Sequence, residues 1–230
     1  MKYNKMLTGT FLNRPNRFCA EVEIAGKQEM VHVKNTGRCR ELLLPDARIF
    51  LEEAENPNRK TRFSLISVYK DSVLVNMDSQ APNAVVEEAL LEGRIAKIGA
   101  VSYLKREQRF GSSRFDFYYE TKKETGYIEV KGVTLEVDGI AMFPDAPTQR
   151  GTKHLRELIA AQAAGFKATA IFVIQMKGVT IFRPNWERDA DFCQALLDAK
   201  AAGVRILAYD CLVGQDELIL DAPTPIDLSR

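Results

Sequence analysis

Two carboxylates and an amine stand on neighbouring stretches of strand-forming sequence. In Tyr127-Ile128-Glu129-Val130-Lys131-Gly132-Val133 the two-residue period of a strand puts Ile128 and Val130 on one face and Glu129 and Lys131 on the other. The preceding stretch, Arg114-Phe115-Asp116-Phe117-Tyr118, aims Phe115 and Phe117 one way and Asp116 the other. Paired as a hairpin, the two strands could bring Asp116 and Glu129 close enough to share a divalent cation, Mg²⁺ or Mn²⁺. Metal-assisted phosphodiester hydrolysis uses such a set: oxygen ligands for the cation, and a lysine to steer or help deprotonate the attacking water. The spacing alone is unspecific, because an acid two positions before a lysine also occurs at Glu120/Lys122 and Asp198/Lys200. Only Glu129/Lys131 lies among apolar residues in a strand that follows another acid-bearing strand. The competing reading is a solvated or salt-bridged strand face.

A further ligand is expected from Glu88, on the mostly apolar face of a helix in which Ala84, Val85, Glu88, Leu91 and Ile95 align, since an uncompensated carboxylate is costly there. Glu87 and Glu107 are alternatives, and an ordinary surface or strand salt bridge competes with each. The segment Phe143 to Leu155 enters a second helix with many polar groups. Asp145 or Thr152 is expected to cap it, and Arg150, Lys153 and His154 could meet a phosphate at its N-terminus.

These residues need a scaffold. The first 80 residues read as short strands, Phe18 to Ile24, Met30 to Lys34, Ala47 to Glu53, Arg62 to Tyr69 and Val73 to Met77, punctuated by Gly, Asn, Asp and Pro. Five alternating strands suggest a small barrel of the oligonucleotide-binding (OB) type, and an SH3-like barrel fits almost as well. The pattern breaks at Ser79 to Asn83, which sets domains of 1–82 and 83–230. After the break the order is α, three or four β, α, β, α, β, with strands at Val101 to Phe110, Ser113 to Tyr119, Tyr127 to Val133 and Gly139 to Phe143. A helix from Thr152 to Gly165 and another from Glu187 to Ala202 flank the apolar run Ala168 to Ile174, which reads as a central strand covered on both faces, with a last strand at Val204 to Tyr209. Mixed order of this kind points to a three-layer α/β/α sheet.

Composition bounds the reading. With 230 residues, 46% hydrophobic and 27% charged, the chain is an ordinary globular one, not disordered or fibrous. Its longest apolar run is far short of the roughly 20 residues that span a bilayer, and the opening residues have no signal-peptide h-region, so a cytoplasmic protein without membrane contact is expected. Cys19, Cys39, Cys193 and Cys211 form no Cys-x-x-Cys pair, so they are expected as free thiols and zinc is not expected. The net charge is +1, but the first 40 residues carry +5 and the last 44 carry −5. Lys2, Lys5, Arg14, Arg17, Lys34, Arg38 and Arg40 could therefore form a basic face for phosphates.

At these residues the chain resembles the sugar fermentation stimulation protein A family, over its whole length and with an enterobacterial member in view. The segments His32-Val33-Lys34-Asn35-Thr36-Gly37-Arg38, Gly111-Ser112-Ser113-Arg114-Phe115-Asp116-Phe117, Tyr127-Ile128-Glu129-Val130-Lys131, Phe143-Pro144-Asp145-Ala146 and Arg150-Gly151-Thr152-Lys153-His154-Leu155 carry the resemblance. It implies an N-terminal OB-fold barrel and a C-terminal domain like the PD-(D/E)XK nucleases, an α+β, mixed architecture. Asp116 then matches the first acidic position of the nuclease motif, Glu129 the second and Lys131 its lysine, with Phe115 standing where the motif's name has Pro. The resemblance also implies DNA binding without sequence preference and a regulatory role in sugar, especially maltose, metabolism. The nucleic-acid contacts expected are Arg14, Arg17, Lys34, Arg38, Arg40, Arg114, Arg150, Lys153 and His154. A non-catalytic DNA-binding regulator and an RNA-processing or RNA-binding protein share most of these features.

Overall fold

A computed structural model of the chain describes every residue except 36, 38 and 57. The N-terminal part contains β1 (Met6–Asn16), β2 (Cys19–Ile24), β3 (Lys27–Val33), β4 (Arg48–Glu53), β5 (Phe63–Lys70) and β6 (Val73–Asn76). The strand order is β3-β2-β1-β4-β5-β6, and a parallel contact of β3 with β5, at His32↔Ser64 and Val33↔Leu65, closes the first five into a barrel. Alternate residues point inward, as the strand period requires: Ala20 and Val22, Val31 and Val33, Ile49 and Leu51, Phe63 and Leu65 are all buried. The barrel is the OB barrel, but its strands are not quite those expected. Its first strand is Met6–Asn16, and Val73–Asn76 is a sixth strand paired only to β5. β1 escapes a pattern search because Gly9 and Pro15 interrupt it and its register with β2 shifts at Phe11/Asn13. Gly9 belongs to the pairing: a Cβ there would lie 2.8 Å from the carbonyl oxygen of Glu23.

The α/β domain follows with α1 (Ala81–Leu91), β7 (Tyr103–Phe110), β8 (Ser113–Glu120), β9 (Thr125–Val133), β10 (Leu135–Val137), β11 (Ile140–Phe143), α2 (Gln149–Ala163), β12 (Lys167–Ile174), β13 (Ile181–Pro184), α3 (Ala190–Ala201), β14 (Arg205–Val213) and β15 (Leu218–Pro223). Six strands make one sheet in the order β15-β14-β12-β9-β8-β7, with β12 parallel to both β9 and β14. The apolar run of β12 is the centre, as its lack of alternation predicts. Ile171 and Val173 pack with Val85, Val86 and Leu90 of α1, while Ala170, Phe172 and Ile174 pack with Leu155 and Leu158 of α2 and Phe192 and Leu196 of α3. The result is the expected three-layer α/β/α arrangement. β10, β11 and β13 form a small separate sheet; β10, β13 and β15 are strands the sequence pattern missed, being short and half exposed. No helix among the described residues is long and apolar enough to cross a membrane.

α1 begins at Ala81, and its buried stripe is Pro82, Val85, Val86, Ala89 and Leu90, at i, i+3, i+4, i+7 and i+8. Leu91 is 65% exposed and Ile95 lies beyond the helix, which corrects the face expected from sequence.

Barrel and α/β domain meet at a buried polar seam. The Asn76 side chain donates to the Tyr3 hydroxyl (2.9 Å) and accepts from Gln175 Nε2 (2.8 Å) and from the Asp78 amide (3.0 Å), while the Asn76 amide donates to the Gln175 carbonyl (2.9 Å). Lys34 pairs with the buried Asp78 at 2.9 Å, and Ser79 Oγ donates to the Lys34 carbonyl. A cleft of about 190 Å³ opens at this seam between Asn35 and Ser79 on one side and Gly132, Thr134 and Asp145 on the other.

Candidate metal centre

The β8–β9 ladder runs from Glu120↔Thr125 to Phe117↔Ile128 and stops. One residue further, Asp116 Oδ2 accepts the Val130 amide at 2.8 Å, so a side chain takes over where the strands diverge. Asp116 Oδ1 accepts from Asn83 Nδ2 at 2.9 Å, tying the fork to the first turn of α1. On β9, Glu129 is 3% exposed. Its Oε1 accepts from Lys131 Nζ at 2.5 Å and also meets Nδ1 of His154, which α2 presents from its buried stripe. Its Oε2 is equally buried and has no hydrogen-bond partner among the described residues.

Electrostatics separate the two acids. Burial raises the Asp116 carboxyl above its usual value and the charge of Glu129 adds to this, against the amide of Val130, the side chain of Asn83 and Lys131. Burial pushes Glu129 the same way, but hydrogen bonding from His154 and the charge of Lys131 outweigh it and leave Glu129 below the ordinary carboxylate range. Two negative groups in one poorly hydrated fork are what a bound cation would relieve.

The donor set fits a hard divalent cation. A bare buried carboxylate oxygen costs on the order of 1–3 kcal/mol or more, which a ligand on Glu129 Oε2 would recover. Each Asp116 oxygen uses one lone pair on its donor and keeps another. Among the described residues no group of three or more His, Cys, Asp or Glu is placed to hold a metal. The protein therefore offers two carboxylates, and Mg²⁺, which retains several waters, suits so sparse a set.

The third expected ligand is elsewhere. Glu88 lies off the buried stripe of α1, its side chain 44% exposed and ion-paired at 2.6 Å with the amino group of Met1. The alternatives are also engaged: Glu87 pairs with Arg106 at 3.1 Å and Glu107 with Arg114 at 2.6 Å. Asn83, a residue the sequence reading passed over, takes the place on α1 facing Asp116. A polar residue one turn into a helix whose other face is core was the available signal.

The expected phosphate contacts divide. Arg14 is half-buried and donates to the carbonyls of Asn35, Gly37 and Arg17, so it holds the loop after β3 together, and Lys34 is bound to Asp78 and lies 3.6 Å from Glu52. His154 is buried against Glu129 and does not face solvent. These three are corrected: each spends its donors inside the fold. Arg17, stacked over Phe18 at 4.8 Å, and Arg40 are exposed on the barrel side; Arg38 lies outside the described residues. Arg114, Arg150 and Lys153 are exposed near the fork, Arg114 paired with Glu107 and Lys153 lying 3.8 Å from Glu157. Arg109 stands directly opposite Arg114 in the β7–β8 hairpin, a like-charge pair the sequence reading did not single out. Thr148, not Asp145 or Thr152, caps α2, its hydroxyl accepting from the Gly151 amide. The four cysteines are free, and burial pushes the thiols of Cys39 and Cys193 up to about 12.

Comparison with known proteins places this architecture. Residues 12–77 match the family model described as the SfsA N-terminal OB domain, and residues 80–217 match that of the sugar fermentation stimulation protein RE domain. A sugar fermentation stimulation protein homolog of Alkaliphilus oremlandii is 55% identical over 99% of both chains, and one of Clostridium beijerinckii is 55% identical over 95% of this chain and 96% of its own. These are clostridial, not enterobacterial, relatives. A solved structure, Pyrococcus furiosus SfsA in complex with Ca²⁺, superposes with a TM-score of 0.90 at 27% identity, covering 99% of this chain and 98% of that one. The chain belongs to the sugar fermentation stimulation protein (SfsA) family.

Proposed function

We propose that this is a cytoplasmic DNA-binding protein without strong sequence preference, whose α/β domain holds Mg²⁺ or Mn²⁺ at Asp116 and Glu129 and hydrolyses phosphodiesters. The observation that carries the reading is the bare, buried Oε2 of Glu129 beside a second carboxylate and a lysine. Support comes from the relative described with Ca²⁺, a cation that, like Mg²⁺, seeks oxygen ligands. An OB barrel next to the site adds a fold that serves oligonucleotides well. When bound, the cation would supply Lewis-acid polarisation of a phosphoryl oxygen and a more acidic water. Lys131, anchored on Glu129 Oε1, would add positive charge beside the ligating carboxylate. Asn83 and the Val130 amide would hold Asp116 in place. Arg114, Arg150 and Lys153, with Arg17 and Arg40 on the barrel, would meet backbone phosphates. A regulatory role in sugar metabolism, maltose included, would act through this DNA binding.

The test is a calorimetric titration of Mg²⁺ and Mn²⁺ into wild type and Asp116→Ala, with cleavage of supercoiled plasmid and single-stranded DNA assayed on the same samples. Metal binding and cleavage that disappear together in the variant establish the reading. DNA binding with neither metal uptake nor cleavage makes the protein a non-catalytic binder, and competition with RNA decides which nucleic acid it prefers.

A further inference from the structure

We propose that His154 is a positioning residue that fixes which oxygen of Glu129 faces the cation, an inference that rests on the metal-site reading above. His154 lies in the buried stripe of α2 with Gly151, Leu155, Leu158 and Ala161, the one imidazole in an otherwise small or apolar row. A polar ring at such a place needs a partner, and it finds Glu129 Oε1 on β9, 25 residues away in sequence. The ring of Phe115 packs edge-on against it, with centroids 6.5 Å apart, and Arg150 Nε lies 3.5 Å from its Nε2.

Lys131 Nζ reaches the same Glu129 oxygen, so two donors from two different elements converge on Oε1 and none on Oε2. A carboxylate held by one donor can turn about its last torsion and exchange its oxygens. Held by two, from α2 and from β9, it must break both contacts to do so. Oε2 is thereby kept bare and in place before any cation arrives, the usual work of a group that hydrogen-bonds a ligand. Both ring nitrogens of His154 are engaged, Nδ1 with Glu129 and Nε2 with Arg150 Nε at 3.5 Å, so the ring stands outside the coordination set. The cation class this selects is the hard, oxygen-seeking divalent ion; a nitrogen-seeking ion such as Zn²⁺ would have to displace the Arg150 guanidinium from Nε2.

The experiment measures Mn²⁺ affinity of the full chain from the free-ion electron paramagnetic resonance signal, for wild type, His154→Ala, His154→Leu and His154→Asn, with melting in EDTA as the control for folding. Asn restores a donor close to the position of Nδ1; Leu restores bulk without one. Expected are a weakening of about 10- to 100-fold in the Ala and Leu variants and affinity near wild type in the Asn variant, with melting temperatures in EDTA that do not follow this order. Should Ala fail to fold, the Asn and Leu variants carry the comparison. Wild-type affinity in folded Ala or Leu variants, or an Asn variant as weak as Leu, overturns the inference and leaves the metal site standing. A wild-type protein that binds no Mn²⁺ overturns both.

Discussion

Asn76→Ala cuts the seam between barrel and α/β domain at its centre. The side chain is 1% exposed and makes three hydrogen bonds, to the Tyr3 hydroxyl, Gln175 Nε2 and the Asp78 amide. Gln175 keeps a second acceptor in the Asp78 carbonyl at 3.1 Å, but the Asp78 amide is left without its partner in a buried place. At roughly 1 kcal/mol for each bond, the variant should lose about 3 kcal/mol. For a chain of this size that lowers the melting temperature by roughly 6–12 °C. Scanning calorimetry measures it, and a double-mutant cycle with Gln175→Ala isolates the link between the domains, expected to exceed about 0.5 kcal/mol. A melting temperature within about 2 °C of wild type, or strictly additive single variants, would refute the view that this network joins the two halves.

Glu124 accepts both Arg205 amino groups, at 2.5 and 2.6 Å, and this contact holds its carboxyl below the usual range. A lowered folded value means that the stabilisation is complete at neutral pH and is lost as pH falls through the folded value; Glu124→Gln should therefore be less stable than wild type by about 1.5–3 kcal/mol at pH 7, with the difference shrinking once pH falls below about 4, as urea unfolding across pH would show. Gly126→Ala places a Cβ 2.2 Å from the Lys167 carbonyl, against backbone of the paired strand β12 that cannot yield cheaply, and should cost about 3 kcal/mol in chemical denaturation. Arg109→Ala relieves a directly opposed like-charge pair and should raise stability by a few tenths of a kcal/mol, yet, if Arg109 meets DNA as proposed for its neighbours, reduce the slope of log K for DNA against log salt by about 1; an unchanged slope removes Arg109 from the proposed DNA surface.

The catalytic-looking core of the sequence was legible because its signals are local. Glu129 and Lys131 are two apart on one strand, Asp116 alternates with phenylalanines on the strand before, and β12 announces itself by seven buried residues in an unbroken row. What escaped detection depends on residues distant in sequence. Arg14 looks like a phosphate ligand until the carbonyls of Asn35 and Gly37 fold beneath it, and Lys34 until Asp78, 44 residues later, arrives after β6. Glu88 was misplaced because Val85, Leu91 and Ile95 suggested one face, whereas the buried stripe runs through Pro82, Val85, Val86, Ala89 and Leu90 and leaves Glu88 at its edge. His154 carried a readable sign, its place in the stripe Gly151, Leu155, Leu158, but its partner Glu129 could be named only once α2 was laid across β9. β1 was hidden because a bulge, a glycine and a proline break the alternation on which strand detection relies.

The parallel pairing at the centre of the large sheet also sets an order of events as the chain is made. Glu129 stands opposite Ala170 and Lys131 opposite Phe172, and β12 in turn leans on β14, Thr169 opposite Arg205. The barrel closes through contacts that all lie before Lys70, so they can form before the rest of the chain is made. The strand bearing Glu129 and Lys131, by contrast, has no neighbour on its inner side until some forty residues more have emerged, and parallel pairing of this kind is slow. During synthesis the strands that close the barrel are therefore complete well before the strand that flanks Glu129 and Lys131 has emerged.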